Sequence, residues 1–164
     1  MTPEFPRPLS VARISAAGLA MTVTASAEER AALASRFKLP GIAALSCRFV
    51  LRPAMGGAYE AEGTLHARIT QLCVVSLEAF DSAIEEGFRL RFVPEGDESE
   101  DEDPDAVDEV PFAADTLDLG EAAAQQLALA LDPYPRKPGA ALELPADDGA
   151  AHPFAGLARL RRPQ

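Results

Sequence analysis

From Ala44 to Val93 apolar and polar residues alternate with a period of two, the spacing of strands that bury one face. Leu45, Cys47, Phe49 and Leu51 share one parity, and Ser46, Arg48, Val50 and Arg52 take the other. Gly56-Gly57 then predicts a turn, because glycine enters positive φ at little cost. The second run sets Leu65, Ala67, Ile69, Cys73, Val75 and Leu77 on one side, with Gln71 the exception, and Thr64, His66, Arg68 and Thr70 on the other. A third places Ile84, Phe88, Leu90 and Phe92 opposite Glu85, Arg89 and Arg91. Three alternating strands joined by short turns predict an antiparallel meander with one solvated face.

Around this core the period changes. "EFPRPLSVARI" carries Phe5, Leu9, Val11 and Ile14 among prolines and reads as an edge strand, since proline donates nothing to a sheet ladder. "SAEERAALASRF" opens with Ser26 and has Glu29 three residues on, the spacing of a capping box. A helix is expected from there to about Phe37, ending before Pro40-Gly41, with a modest apolar face of Ala31, Leu33, Ala34 and Phe37 laid on the sheet. A second helix is expected after Asp118, which stands three residues before Glu121. Its run Leu127-Ala128-Leu129-Ala130-Leu131 is apolar nearly all round, which predicts deep burial, and Pro133 ends it by forcing Asp132 from the α region. "HPFAGLARLRR" fits a short terminal helix that turns Phe154, Leu157 and Leu160 inward and Arg159, Arg161 and Arg162 outward.

Charge changes the picture between residues 94 and 112. The net charge is −11, yet residues 95–109 hold ten acids and no Lys or Arg, so the rest of the chain sums to −1. Mutual repulsion and little to bury predict a solvated, mobile loop inserted in an otherwise near-neutral domain. Its sharper reading is a segment that contacts basic partners or discourages nonspecific nucleic-acid contact. With 48% hydrophobic residues but no tryptophan, packing falls mainly to alanine, leucine and valine. No apolar run reaches the roughly 18 residues that a bilayer-spanning helix needs. "RISAAGLAMTVTASA" faintly imitates a secretory signal, but Ser15, Gly18, Thr22 and Thr24 break its apolar region. A strand, a loop and a helix cap retained in a cytoplasmic protein are expected there instead.

Candidate chemistry is thin. Phosphate loops, nucleophile elbows and metalloprotease helices have no counterpart in the sequence. His66 falls on the wet strand face and His152 precedes a proline, so both read as surface residues. Strand parity turns Cys47 and Cys73 toward the core, where burial in apolar surroundings raises a thiol's pKa and keeps it inert. Two distant cysteines and two isolated histidines offer no zinc set, and the acidic run lacks the order of a calcium loop. The expectation is therefore no catalytic residue, no metal and no cofactor. Arg136, Lys137, Arg159, Arg161 and Arg162 form a basic patch only if the fold gathers them, and no aromatic-rich RNA-binding strand is visible.

Several stretches in order, "TQLCVVSLEAF", the acidic linker, "LDLGEAAAQQLALALDPYP" and "HPFAGLARLRR", resemble the bacterial YceD family of large-ribosomal-RNA-subunit accumulation proteins, with its plastid relatives. The resemblance runs from about Phe5 to the end. Its most specific parts are Leu117-Asp118-Leu119 opening the helix, the proline pair Pro133 and Pro135, and Pro153-Phe154 with Leu157 and Leu160. It implies a cytoplasmic, non-enzymatic factor in accumulation of large-subunit (23S) rRNA, acting in processing or assembly. The implied partners are ribosomal proteins or pre-large-subunit ribonucleoprotein, with neither DNA nor membrane. Many members carry C-x-x-C in the strand region. Here Cys73 is followed by Ser76, and Ala79 stands where a proline often does.

The fold class expected is α+β: one domain over residues 1–164, an antiparallel sheet carrying an N-terminal helix and a buried helix from the second half. Two other functions are weighed: a small-ligand or protein-binding module unrelated to rRNA, and a thiol-dependent enzyme, which the inward parity of Cys73 disfavours.

Overall fold

The computed structural model describes residues 2–100 and 105–142. Among these described residues, seven strands and two α-helices follow in the order β1 (Pro8–Ser10), β2 (Leu19–Thr24), α1 (Ala27–Phe37), β3 (Gly41–Pro53), β4 (Tyr59–Leu72), β5 (Ala79–Pro94), β6 (Asp108–Phe112), β7 (Thr116–Asp118) and α2 (Leu119–Ala130). The fold is α+β, as the patterning predicts. A five-stranded sheet has the order β2-β3-β4-β5-β6, and β1 with β7 makes a separate antiparallel pair.

The meander follows the alternation closely. Cys47 pairs with Leu65, and Ala67 pairs with Ile84, so the three predicted apolar faces align. Leu45, Cys47, Phe49 and Leu51 from β3 are buried with Leu65, Ala67 and Ile69 from β4 and Leu90 and Phe92 from β5. Each large side chain so buried stabilises the fold by about 1.5–3 kcal/mol. Gly63 pairs with Phe88, whose ring lies where a β-carbon would stand and meets Phe49 edge-on at 5.8 Å.

α1 begins as its capping box requires. The Ser26 hydroxyl accepts from Glu29 N–H, and Glu29 Oε2 accepts from Ser26 N–H at 2.7 Å. Glu29 also takes both guanidinium nitrogens of Arg7, at 2.7 and 2.8 Å, and its carboxyl is held down at about 2, chiefly by that pair. Lys38, in the left-handed region at φ 56°, closes the helix ahead of Pro40. Leu33 and Ala34 reach the core, whereas Ala31 is exposed and Phe37 half-buried.

Four expectations are corrected. "EFPRPLSVARI" supplies an edge strand, but a shorter one than expected: only Pro8–Ser10 is strand, paired with β7 apart from the main sheet, because a 3-10 turn at Val11–Arg13 takes the chain away. α2 is buried as far as Leu127 but not through the rest of the apolar run. Leu119, Ala122, Ala123 and Leu127 are covered, while Leu129 is 71% exposed, because the sheet and the N-terminal segment do not reach the last turn. The second strand stops at Leu72, where pairing with Ala79 ends, so strand parity has no meaning for Cys73, Val75 and Leu77. Finally, the acidic stretch is not a loop as far as residue 112. Asp108–Phe112 forms β6, parallel to β5, with Phe92 opposite Val110 and the Tyr59 and Phe112 rings 6.0 Å apart. The C-terminal helix expected around Phe154, Leu157 and Leu160 lies outside the described residues.

Candidate functional site

Three of the predicted candidates, Cys73, Pro135 and Lys137, come together where β4 hands over to β5. Past Leu72 the chain reverses through Cys73–Glu78. Cys73 N–H donates to Glu78 O at 2.9 Å, and Leu77 N–H donates to Cys73 O at 2.9 Å. The reversal puts Leu77 in the left-handed region at φ 58°, a conformation that costs a non-glycine residue on the order of 1 kcal/mol.

α2 delivers a second strand of chain to this turn. Its last residues unwind at Leu131, and Asp132 Oδ1 accepts from Tyr134 N–H at 2.8 Å, so the segment with Pro133 and Pro135 leaves extended. It lies along the turn: Val74 N–H donates to Pro135 O at 2.9 Å, and Lys137 Nζ is 3.0 Å from Glu78. Cys73 is shut from solvent.

The two thiols have opposite environments. Cys47 sits between β2 and β4 in the sheet core, and burial pushes it up to about 12. Cys73 is buried too, but its sulfur is a hydrogen-bond acceptor. The Ser76 hydroxyl and the Ser76 N–H, at 3.4 Å, lower its pKa from the ordinary 9.0 to about 7, with further help from the N–H groups of Lys137 and Val75. Burial acts the other way and is outweighed. The inert, raised thiol expected of Cys73 is thus corrected, because it stands in a cradle of polar donors rather than on an apolar strand face.

A test follows. In the native protein both thiols should react with iodoacetamide about tenfold or more slowly than in denaturant, because neither is accessible. The native rate at Cys73 should climb as pH rises through about 7, while Cys47 stays silent, as peptide mass spectrometry would read. The sign for stability is fixed as well. A thiol with a lowered folded pKa stabilises the fold fully above the ordinary 9.0, and that contribution is lost as pH falls through about 7. Cys73→Ser should remove this part of the pH dependence.

Of the predicted residues, the fold gathers Cys73, Pro135 and Lys137. Asp118 and Leu119 sit at the far end of α2, about 18 Å away along a twelve-residue helix, and their work is structural. Asp118 Oδ1 accepts from Gly120, Glu121 and Arg7 N–H groups, and Leu119 is fully buried. Pro133 and Arg136 are exposed. Pro153, Phe154, Arg159, Arg161 and Arg162 lie outside the described residues.

Residues that the strand reading turned inward or passed over frame the junction. Leu72, Val74 and Leu77 are exposed on the turn, Leu77 at 78%, and Tyr134 beside Pro135 is 72% exposed. The only advance signal was the proline pair, which marks chain leaving a helix extended. Elsewhere, a cleft of about 560 Å³ lies between the solvated ends of β3–β5 and the acidic stretch. Arg52, Arg89 and Arg91 line it together with Glu60, Glu62, Asp108 and Glu109, so it is not the apolar pocket that a small-ligand module would need. Among the described residues, no three His, Cys, Asp or Glu side chains are grouped to hold a metal, and no helix is long and apolar enough to cross a membrane.

A family model described as "Large ribosomal RNA subunit accumulation protein YceD" matches residues 61–161. That span runs from within β4 past α2 and includes the Cys73 turn, and it begins later than the resemblance drawn from Phe5. No curated protein and no solved structure is significantly similar to the chain.

Proposed function

Since the chain belongs to the YceD family, we propose that it is a non-enzymatic factor for large-subunit rRNA accumulation, acting in rRNA processing or subunit assembly. The family match across residues 61–161 is the observation that carries this reading. It would work in the cytoplasm through ribosomal proteins or pre-large-subunit ribonucleoprotein. The working surface would be the junction of the Cys73 turn with the segment after α2. Leu72, Val74, Leu77 and Tyr134 offer apolar contact there, and the Lys137–Glu78 pair is part of a polar border. An apolar centre with a polar rim suits protein contact better than phosphate contact. A non-enzymatic role agrees with a thiol that the passing chain shuts from solvent.

The test is co-sedimentation with pre-large-subunit particles. Leu77→Gly removes an exposed apolar side chain and relieves the left-handed backbone, so its thermal midpoint should hold or rise slightly. Combined with Tyr134→Ala it should lower the co-sedimenting fraction several-fold. Unchanged co-sedimentation of the double variant would remove this surface from the account.

A further inference from the structure

The two edges of the main sheet are built differently. β6 is guarded: Asp108 and Glu109 charge it, and Pro111 interrupts its donors. β2, Leu-Ala-Met-Thr-Val-Thr, has neither charge nor proline. Natural edge strands left this way are templates for another strand.

Register shows what β2 leaves open. Ala25 N–H donates to Leu45 O, and β2 pairs with β3 in the same register, Val23 with Cys47, Met21 with Phe49 and Leu19 with Leu51. Antiparallel ladders alternate, so residues 19, 21 and 23 bond to β3 while residues 20, 22 and 24 turn their N–H and C=O outward. Thr24 O is taken by the Arg7 guanidinium at 2.9 Å. Among the described residues, nothing takes the outward groups of Ala20 and Thr22, which are both exposed. On the core side, Leu19 and Met21 are only half-buried.

We infer that β2 pairs antiparallel with β2 of a second copy of this chain, joining two five-stranded sheets edge to edge. The strand is complementary to itself. With a two-fold axis at Met21, Ala20 of each copy faces Thr22 of the other, and four N–H···O=C bonds use the groups left open in both. Leu19 then lies opposite Val23 on the core side, and the two Met21 side chains meet in a close, non-hydrogen-bonded pair, about 4.5 Å between α-carbons. No charge opposes its like along this seam, although each chain carries −11. The pairing is isologous, the commonest form of closed assembly. This surface lies outside the family-matched span and stands apart from the proposed function.

Sedimentation equilibrium on the full chain tests it. The wild type should approach twice the 17.4 kDa chain mass as concentration rises. Met21→Lys and Met21→Glu should each remain at 17.4 kDa, because like charges meet across the axis, and an equimolar mixture of the two should regain the doubled mass. Thr22→Pro removes an outward donor without touching a bond to β3 and should also stay single. Should Thr22→Pro fail to fold, the charge pair decides. A wild type that stays single at every concentration overturns the inference. So does a dimer that survives these substitutions with its melting curve unchanged. Protection of Ala20 and Thr22 amides only after ribosomal particles are added would assign the edge to a different partner and overturn it too.

Discussion

Gly120→Ala is expected to lower the thermal midpoint by roughly 10 °C, the largest loss among the single substitutions considered. A β-carbon at position 120 would stand on the carbonyl of Phe5 and against Arg7 N at 3.1 Å. These are backbone atoms, so no side chain can swing aside. The N-terminal segment has no room to retreat. Phe5 is fully buried, Leu119 N–H donates to Arg7 O at 3.1 Å, and Arg7 N–H donates to Asp118 Oδ1 at 2.9 Å. Arg36 tightens the same corner by bridging Glu4 and Glu121, each at 2.9 Å. Overpacking a fixed contact costs about 3 kcal/mol, and about 3 °C of midpoint accompanies each kcal/mol in a chain of this size. Gly87→Ala is the control: nothing lies within 4 Å of its added carbon, and its midpoint should stay within about 2 °C. A Gly120→Ala midpoint equal to wild type would show that Phe5 does not seat on α2 as described.

Shortening the acidic stretch is expected to cost nearly as much, while neutralising it costs little. β5 and β6 are parallel, so residues 95–107 must carry the chain from the end of one strand back to the start of the next. Such crossovers need a dozen residues or more, and this one has thirteen. Removing residues 97–105 would leave too few to span the return. β6 would lift from β5, Phe112 would lose Tyr59, and Val110 would lose the core margin. A loss of about 2–3 kcal/mol, or 6–9 °C, is expected. Replacing the acids of 97–105 with serine at constant length keeps the span, and calorimetry should find the midpoint nearly unmoved. If deletion and substitution behave alike, the parallel pairing is wrong.

That contrast marks where the sequence was readable. Alternation through Leu45–Leu51 and Ile84–Phe92 identified strands because each buries one face on a shared core, and the Ser26–Glu29 box is local chemistry that needs no tertiary partner. β6 was hidden because Asp108, Glu109 and Pro111 are poor strand residues, and only Tyr59 and Phe92 across the sheet make Val110 and Phe112 worth ordering. Leu129 is exposed for a related reason: an all-apolar turn says that something should cover it, not that the sheet reaches so far. At Cys73 the strand period no longer applies, because pairing ends at Leu72. The donors that lower its pKa include Lys137, a contact 64 positions away that no spacing rule reaches.

The central claim is a role in accumulation of large-subunit rRNA, and depleting the protein tests it most directly. Quantifying both rRNA species as depletion proceeds should show the large-subunit species falling relative to the small, with recovery on re-expression of the wild-type chain. Unchanged levels of both, with the protein gone, would contradict it.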